Sequence, residues 1–147
     1  MQDLILLVED NPDDQELTLR ALRQSNIANP VKIIADGALA IDYLLRQGAY
    51  ADPESSPRPR VVLLDLKLPK VGGLAVLRAI RENPPTRMLP VVVLSSSAEE
   101  KDIAESYGRG ANSYVRKPLG FVEFAEAVRQ MGMYWLLLNE SAPDTVR

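Results

Sequence analysis

The chain has 147 residues, of which 46% are hydrophobic and 25% are charged, and this composition fits one globular domain. A net charge of −3 argues against binding to a nucleic-acid backbone, and the absence of cysteine and histidine excludes disulfides, thiolate or imidazole metal sites and histidine-dependent catalysis. The apolar runs are too short to span a membrane and the N-terminus lacks a secretory signal, so we expect a cytoplasmic protein that binds neither nucleic acid nor membrane.

The first predicted elements are a strand over residues 4–8 and a helix that begins just after it. The strand is continuously apolar rather than alternating, which is typical of a strand that is buried on both faces in a parallel sheet. Asn11 can cap the helix and Pro12 fits its first position. The two acids that follow Pro12 face the positive end of the helix dipole.

A second strand over residues 31–35 and a second helix that Gly48 can stop repeat this order. The loop over residues 50–60 contains three prolines and is long for such a fold, so we expect it to be mobile or functional. A third strand over residues 61–64 and a third helix over residues 73–82, ended by two prolines, follow the loop.

The remaining chain contains two further strand–helix pairs and a short tail. The predicted strands cover residues 91–94 and 113–115, and the predicted helices cover residues 99–107 and 121–139. Five strands that alternate with five helices indicate an open, doubly wound α/β sheet with parallel strands. We therefore expect one domain over residues 1–140 and a flexible tail over residues 141–147.

Polar side chains follow four of the five predicted strands, at the sheet edge where ligands bind in such folds. These residues are Glu9, Asp10, Asp65, Ser95 and Lys117. Clustered carboxylates repel one another, a divalent cation relieves the repulsion, and oxygen ligands without histidine or cysteine suit Mg²⁺ or Mn²⁺. Asp65 can act as a nucleophile because aspartate forms acyl phosphates, and Lys117 and Ser95 can offset the charge of a transferred phosphoryl group.

The segments that carry these residues resemble the receiver domains of two-component response regulators. The matching segments are Glu9-Asp10-Asn11, Asp65-Leu66-Lys67-Leu68-Pro69 with Gly73, Leu94-Ser95-Ser96, and Tyr114-Val115-Arg116-Lys117-Pro118. The resemblance covers nearly the whole chain and implies a flavodoxin-like sheet with strand order 2-1-3-4-5. It also implies a signalling protein that catalyses only its own phosphorylation and dephosphorylation.

The resemblance implies a role for each of the chemically important residues. Asp65 would accept a phosphoryl group from a partner histidine kinase, and Lys117 and Ser95 would contact that group. Ser95 and Tyr114 would form a coupled hydroxyl and aromatic switch. The Lys117–Pro118 peptide bond would be cis.

The resemblance likewise implies the ligands of the metal ion. Mg²⁺, or alternatively Mn²⁺, would be held by Asp10, by Asp65 and by the backbone carbonyl of Lys67. Glu9 would contribute largely through water.

The final helix predicts a partner surface. Residues 134–138 are apolar around the whole helix circumference, which is more than one sheet face can bury. We therefore hypothesise a homodimer through this helix and the face of the fifth strand. The enlarged loop before the third strand and Trp135 in the last helix resemble the single-domain regulators that are paired with bacterial phytochrome kinases.

Two functions from other classes stay open at this point. A magnesium-dependent phosphohydrolase would use the same aspartyl nucleophile, but such enzymes typically place a second aspartate two residues later, where this chain has Lys67. A binding scaffold that works without phosphorylation would share the fold. Tyr114 also has an ordinary interpretation, as a half-buried strand aromatic.

Overall fold

The computed structural model describes residues 3–117 and 120–142, which form a five-stranded parallel sheet flanked by helices. The strands are β1 (Ile5–Val8), β2 (Val31–Ile34), β3 (Val61–Asp65), β4 (Val91–Ser95) and β5 (Ser113–Arg116). The helices are α1 (Pro12–Gln24), α2 (Gly37–Leu45), α3 (Gly73–Glu82), α4 (Glu100–Gly108) and α5 (Phe121–Gly132). The strand order β2-β1-β3-β4-β5 confirms the predicted flavodoxin-like sheet.

Two apolar layers hold the sheet between its helices. In β1, Leu6 and Val8 point into the layer beneath α2 and α3, whereas Ile5 and Leu7 point into the layer beneath α1 and α5. All four side chains are buried. The central strands are therefore covered on both faces, which is why their sequences are continuously apolar.

The start of α1 follows the predicted capping pattern. The Asn11 side-chain oxygen accepts hydrogen bonds from the backbone N–H groups of Asp13, at 2.8 Å, and Asp14, at 3.2 Å. Pro12 occupies the first helical position, where its missing N–H costs no hydrogen bond. These bonds fix the first turn of α1 beside the carboxyl end of β1.

The long connection before β3 contains two 3₁₀ turns, Gly48–Tyr50 and Pro53–Ser55. The buried Ser56 hydroxyl lies 3.0 Å from the carbonyl oxygen of Asp52 and 3.1 Å from that of Tyr50. The Tyr43 hydroxyl of α2 donates to the carbonyl of Pro57 at 2.7 Å. The Ser56 contacts hold the connection together, and the Tyr43 hydrogen bond attaches it to α2.

The predicted helix over residues 121–139 is helical as far as Leu138, but its last part has a different helix type. The α-helix ends at Gly132 and the chain continues as a π-helix, Met133–Leu138. Gly132 packs so closely on Ile27 that a side chain at this position would collide with it. Two consecutive side chains of the π-helix, Trp135 and Leu136, are buried in the core.

No helix within the described residues is both long and apolar enough to cross a membrane. The predicted tail is described only as far as residue 142, and its residues 143–147 lie outside the described part of the chain.

Candidate functional site

The carboxyl ends of β1 and β3 bring three carboxylates together. Glu9 and Asp10 follow β1, and Asp65 is the last residue of the neighbouring strand β3. Each of these side chains offers an oxygen atom, and the three oxygens lie within 4.8 Å of one another. Such a set of oxygen donors fits a hard divalent cation such as Mg²⁺ or Mn²⁺. The structure therefore places the three predicted acids where they could hold a metal ion together.

Lys117, which directly follows β5, extends its side chain into this acidic group. Its ammonium nitrogen Nζ lies 2.6 Å from Glu9 Oε1, 3.2 Å from Asp14 Oδ2 and 3.6 Å from Asp65 Oδ1. Burial lowers the pKa of Lys117, but the hydrogen bond to Glu9 and the charges of the three carboxylates outweigh burial and raise the pKa overall. The lysine is therefore a protonated counter-ion to the acids at neutral pH.

Asp65 is the most perturbed acid of the site. Burial, more than any other cause, raises the pKa of Asp65 to about 6. The positive charge of Lys117 opposes this shift, and the negative charges of Glu9 and Asp10 add to it. A carboxylate with a raised pKa is a better nucleophile than an exposed aspartate, yet it is still mostly ionised at neutral pH.

Glu9 is held from three directions. Its side chain is 3% exposed, and besides Lys117 its carboxylate accepts a hydrogen bond from the backbone N–H of Asn11 at 3.3 Å. Its backbone carbonyl accepts from the Gln15 side-chain amide at 2.7 Å. Asp10, in contrast, is exposed to solvent. The two adjacent acids therefore differ, because one is buried beside a lysine and the other is open to a ligand.

Ser95 and Tyr114 meet the same residue, Ser97, in the loop between β4 and α4. The buried Ser95 hydroxyl oxygen accepts a hydrogen bond from the Ser97 N–H at 3.1 Å. The Tyr114 hydroxyl donates to the Ser97 carbonyl at 2.9 Å. The backbone carbonyl of Ser95 also accepts from the N–H of Lys117 at 2.8 Å. The two residues that were predicted to be coupled are therefore joined by this loop.

The loop after β3 packs tightly on Asp65. Gly73, at the start of α3, lies so close to the backbone oxygen of Asp65 that a side chain would collide with it, and its N–H donates to Leu66 at 2.9 Å. Lys67 lies in this loop, and the role of its carbonyl as a metal ligand stays a prediction. The predicted cis bond between Lys117 and Pro118 also stays a prediction, because Pro118 lies outside the described residues.

Asp14 is a site residue that the sequence reasoning missed. The sequence predicts only an interaction of Asp14 with the dipole of α1, but in the structure its carboxylate pairs with Lys117. The available signal was its place in the first turn of a helix that begins directly beside the predicted acids. The sequence alone does not show which of the neighbours Asp13 and Asp14 turns toward the site.

Comparisons with known proteins agree with this geometry. The family model of the response regulator receiver domain matches residues 5–129. Response regulator Rcp1 of Synechocystis sp. is 40% identical over 133 residues, which cover 90% of this chain and 88% of Rcp1. The Mn²⁺-bound structure of Rcp1 has a TM-score of 0.86 at 38% identity, and the match covers 96% of this chain and 99% of that one.

Two other solved structures are similar over almost all of the chain. The phosphorylated cyanobacterial phytochrome response regulator RcpA has a TM-score of 0.89 at 36% identity, with 97% of this chain and 100% of that chain covered. The bacteriophytochrome response regulator RtBRR has a TM-score of 0.77 at 49% identity, with 98% and 86% covered. The similarity therefore extends through the described α5 and the π-helix.

Proposed function

This chain belongs to the response regulator receiver domain family and acts as a response regulator in a phosphorelay, and from that premise we propose that Asp65 is the residue that takes the phosphoryl group. The observation that carries the proposal is the position of the Asp65 carboxylate. It ends β3, it lies beside two further carboxylates that could hold a metal ion, and it is 3.6 Å from the Lys117 ammonium. Glu9 also lies beside two carboxylates and the lysine, but its pairing with Lys117 at 2.6 Å leaves its oxygens less available than those of Asp65.

The proposed transfer follows from the chemistry of these groups. An oxygen of Asp65 attacks the phosphorus of a phosphohistidine on a partner kinase, and the phosphorus–nitrogen bond breaks. The bond's electron pair returns to the imidazole, which takes up a proton from solvent. Lys117 offsets the negative charge that gathers on the phosphoryl oxygens.

We propose Mg²⁺ as the metal, with Mn²⁺ as a substitute. Asp10, Asp65 and the Lys67 carbonyl would hold the ion, and Glu9 would contribute largely through water, because its carboxylate already pairs with Lys117. When bound, the ion would neutralise charge on the acids and on the phosphoryl oxygens. The Mn²⁺-bound form of Rcp1 and the three clustered carboxylates support this assignment.

We further propose that Ser95 and Tyr114 report the phosphorylation to the protein surface. The Ser95 hydroxyl would donate a hydrogen bond to a phosphoryl oxygen on Asp65. Because Ser95 and Tyr114 both bind Ser97, a shift of Ser95 would move the loop between β4 and α4 and the tyrosine with it. This proposal is supported by hydrogen bonds that link the site to a half-buried aromatic residue.

Intact mass spectrometry after incubation with acetyl phosphate and Mg²⁺ tests the central proposal. The parent protein should gain the mass of one phosphoryl group, and the Asp65→Asn variant should gain none, because the amide is not a nucleophile for this transfer. Asp42→Asn, on α2, makes the same chemical change away from the site and should leave the gain intact. A phosphorylated Asp65→Asn protein, or an unmodified parent, would refute the assignment.

The proposed kinase partner is a bacterial phytochrome. The similarity to RcpA, a cyanobacterial phytochrome response regulator, and to RtBRR, a bacteriophytochrome response regulator, supports it. Transfer of phosphate from a phytochrome histidine kinase to this chain should change with the colour of illumination, whereas transfer from an unrelated histidine kinase should be slow and independent of light.

The proposed output contact is a homodimer through the C-terminal helix and β5. Among the described side chains of the π-helix, three large apolar ones are exposed: Met133 at 42%, Tyr134 at 49% and Leu138 at 69%. A second copy would cover this apolar surface. Light scattering at micromolar concentration, with and without acetyl phosphate, should give the mass of a dimer, and a monomer under both conditions would rule the contact out.

A further inference from the structure

The Lys117 ammonium has one anionic neighbour that does not belong to the candidate metal site. Three carboxylates surround its nitrogen, and two of them, Glu9 and Asp65, are members of the group that could hold a metal ion. The third, Asp14, is 3.2 Å away and lies outside that group. Once a cation occupies the site, Glu9 and Asp65 would interact with the cation as well as with Lys117. Asp14 would interact with Lys117 without that competition.

The backbone of Asp14 is fixed, so its carboxylate starts from a defined place. Its N–H donates to the Asn11 cap at 3.2 Å, and its carbonyl accepts from the buried Thr18 hydroxyl at 2.9 Å. Asp13, in the same helical turn, is exposed, and among the described residues its side chain makes no ion pair or hydrogen bond. The first turn of α1 therefore turns one acid toward Lys117 and leaves the other in solvent.

A divalent cation would change the balance around Lys117. Glu9 and Asp65 would direct negative charge to the cation, and the cation would repel the ammonium. Lys117 would then be free to leave the position that suits a phosphoryl group beside Asp65. A partner outside the metal site removes this difficulty, because Asp14 can hold one N–H of the ammonium while the other two stay available.

We propose that Asp14 is a positioning residue for Lys117, which holds the ammonium beside Asp65 when the metal site is occupied. The inference rests on the proposed phosphotransfer to Asp65. Asp14 acts through the lysine and does not itself contact the phosphoryl group. The side chain of Asp14 is 39% exposed, so solvent screens the pair and the expected effect is modest.

The first test measures the rate at which Asp65 is phosphorylated by acetyl phosphate at saturating Mg²⁺. Asp14→Asn should lower the maximal rate by roughly two- to five-fold, the range expected for a partly exposed ion pair, and should leave the half-saturating donor concentration near that of the parent. Asp14→Glu should recover part of the rate. Asp13→Asn removes the same charge from the same helical turn and should stay close to the parent.

A double-mutant cycle separates action through Lys117 from a general electrostatic effect. In a Lys117→Gln background, the further change Asp14→Asn should have little additional effect, because the group it positions is already gone. Two results would overturn the inference. One is an equal loss of rate in Asp13→Asn, and the other is an undiminished loss in the Lys117→Gln background.

A second readout does not depend on phosphotransfer. With Mg²⁺ bound, the ε-methylene protons of Lys117 should give two separate NMR signals, because the side chain is held in place. Asp14→Asn should merge these signals, and Asp13→Asn should not. If Asp14→Asn merges the signals but the parent protein is never phosphorylated, the proposed function is wrong and the positioning role is still supported. Separate signals in Asp14→Asn would sink the positioning role alone.

Discussion

Both ends of the sheet contain a partly buried cation, but the two cations have opposite surroundings. At the carboxyl end of the strands, Lys117 contacts three carboxylates. At the amino end, the partners of Arg81 of α3 within the described part of the chain are all neutral oxygens. Its guanidinium donates to the carbonyls of Arg87, Leu89 and Gly110 and to the Asn112 side-chain oxygen, at 2.7–2.9 Å.

The difference shows at which end of the sheet another cation can compete with the bound side-chain cation. Carbonyl groups satisfy an arginine without net charge of their own, and another ion gains little by replacing it. Carboxylates attract any cation, so a divalent ion competes with Lys117 for Glu9 and Asp65. At the amino end the arginine therefore has a purely structural role, whereas at the carboxyl end one cation can replace another.

Arg60, just before β3, also binds backbone carbonyls, but unlike Arg81 it has a carboxylate partner as well. Its guanidinium donates to the backbone carbonyls of Trp135, at 3.3 Å, and Asn139, at 2.7 Å, and it pairs with Asp3 at 3.1 Å. These bonds attach the π-helix to the edge of the sheet. The surface proposed for a second copy is thus tied to the amino end of the sheet.

Removal of Arg81 should produce the largest loss of stability. Arg81→Ala removes the guanidinium that donates to four oxygen acceptors on two separate segments, the loop before β4 and the loop before β5. We expect the free energy of unfolding to fall by about 4 kcal/mol. Urea unfolding followed by the fluorescence of the single tryptophan, Trp135, measures the change. Mg²⁺ should not restore the loss. Arg78→Ala, which removes an exposed arginine from the same helix, should change stability by less than about 0.5 kcal/mol.

Removal of Lys117 should lower the free energy of unfolding by less than removal of Arg81, and Mg²⁺ should recover most of this loss. In EDTA, Lys117→Gln leaves the buried Glu9 carboxylate without its cation, and we expect a loss of about 3 kcal/mol, at the low end for a broken buried pair because water reaches the site. Mg²⁺ should recover most of this loss and raise the melting temperature more than it does in the parent. Lys101→Gln, an exposed lysine of α4, is the control. If Mg²⁺ rescued Arg81→Ala equally well, the contrast between the two ends would fail.

The predictable parts of this molecule are those that depend on neighbours in sequence. The strand β3 and its aspartate could be found because four apolar residues precede Asp65, and the α1 cap could be found because Asn11 precedes a proline. The convergence of the acids followed from the topology of parallel sheets. The confirmed fold and the placement of the acids therefore needed no tertiary detail.

The missed parts depend on contacts between distant residues. The π-helix is accompanied by the close approach of Gly132 to Ile27 and by the bonds to Arg60, and neither contact leaves a pattern in the local sequence. The pairing of Asp14 with Lys117 joins residues 103 positions apart. The link between Ser95 and Tyr114 runs through the backbone of Ser97, and almost any residue type could supply those backbone groups.

The third prediction concerns pH and should give the smallest effect of the three. Burial raises the pKa of Asp65 from 3.8 to about 6, so the folded state holds the proton more tightly than the unfolded state. The stability that this proton contributes is fully present below the unfolded pKa of 3.8 and is lost as the pH rises through about 6. At about pH 8 in EDTA, Asp65→Asn should therefore be more stable than the parent by about 2 kcal/mol, since it buries no charge.

The advantage of Asp65→Asn should shrink as the pH falls from about 8 to about 4, because the parent carboxyl becomes protonated and neutral in its folded state. Urea unfolding at several pH values measures this convergence. Asp13→Asn, which replaces an exposed aspartate, should show a difference from the parent that does not vary in this way. If the stability difference between Asp65→Asn and the parent stayed constant across the pH range, burial would not raise the pKa of Asp65. The carboxyl end of the sheet would then resemble the amino end, with charges that the fold has already satisfied and that give a divalent cation little to relieve.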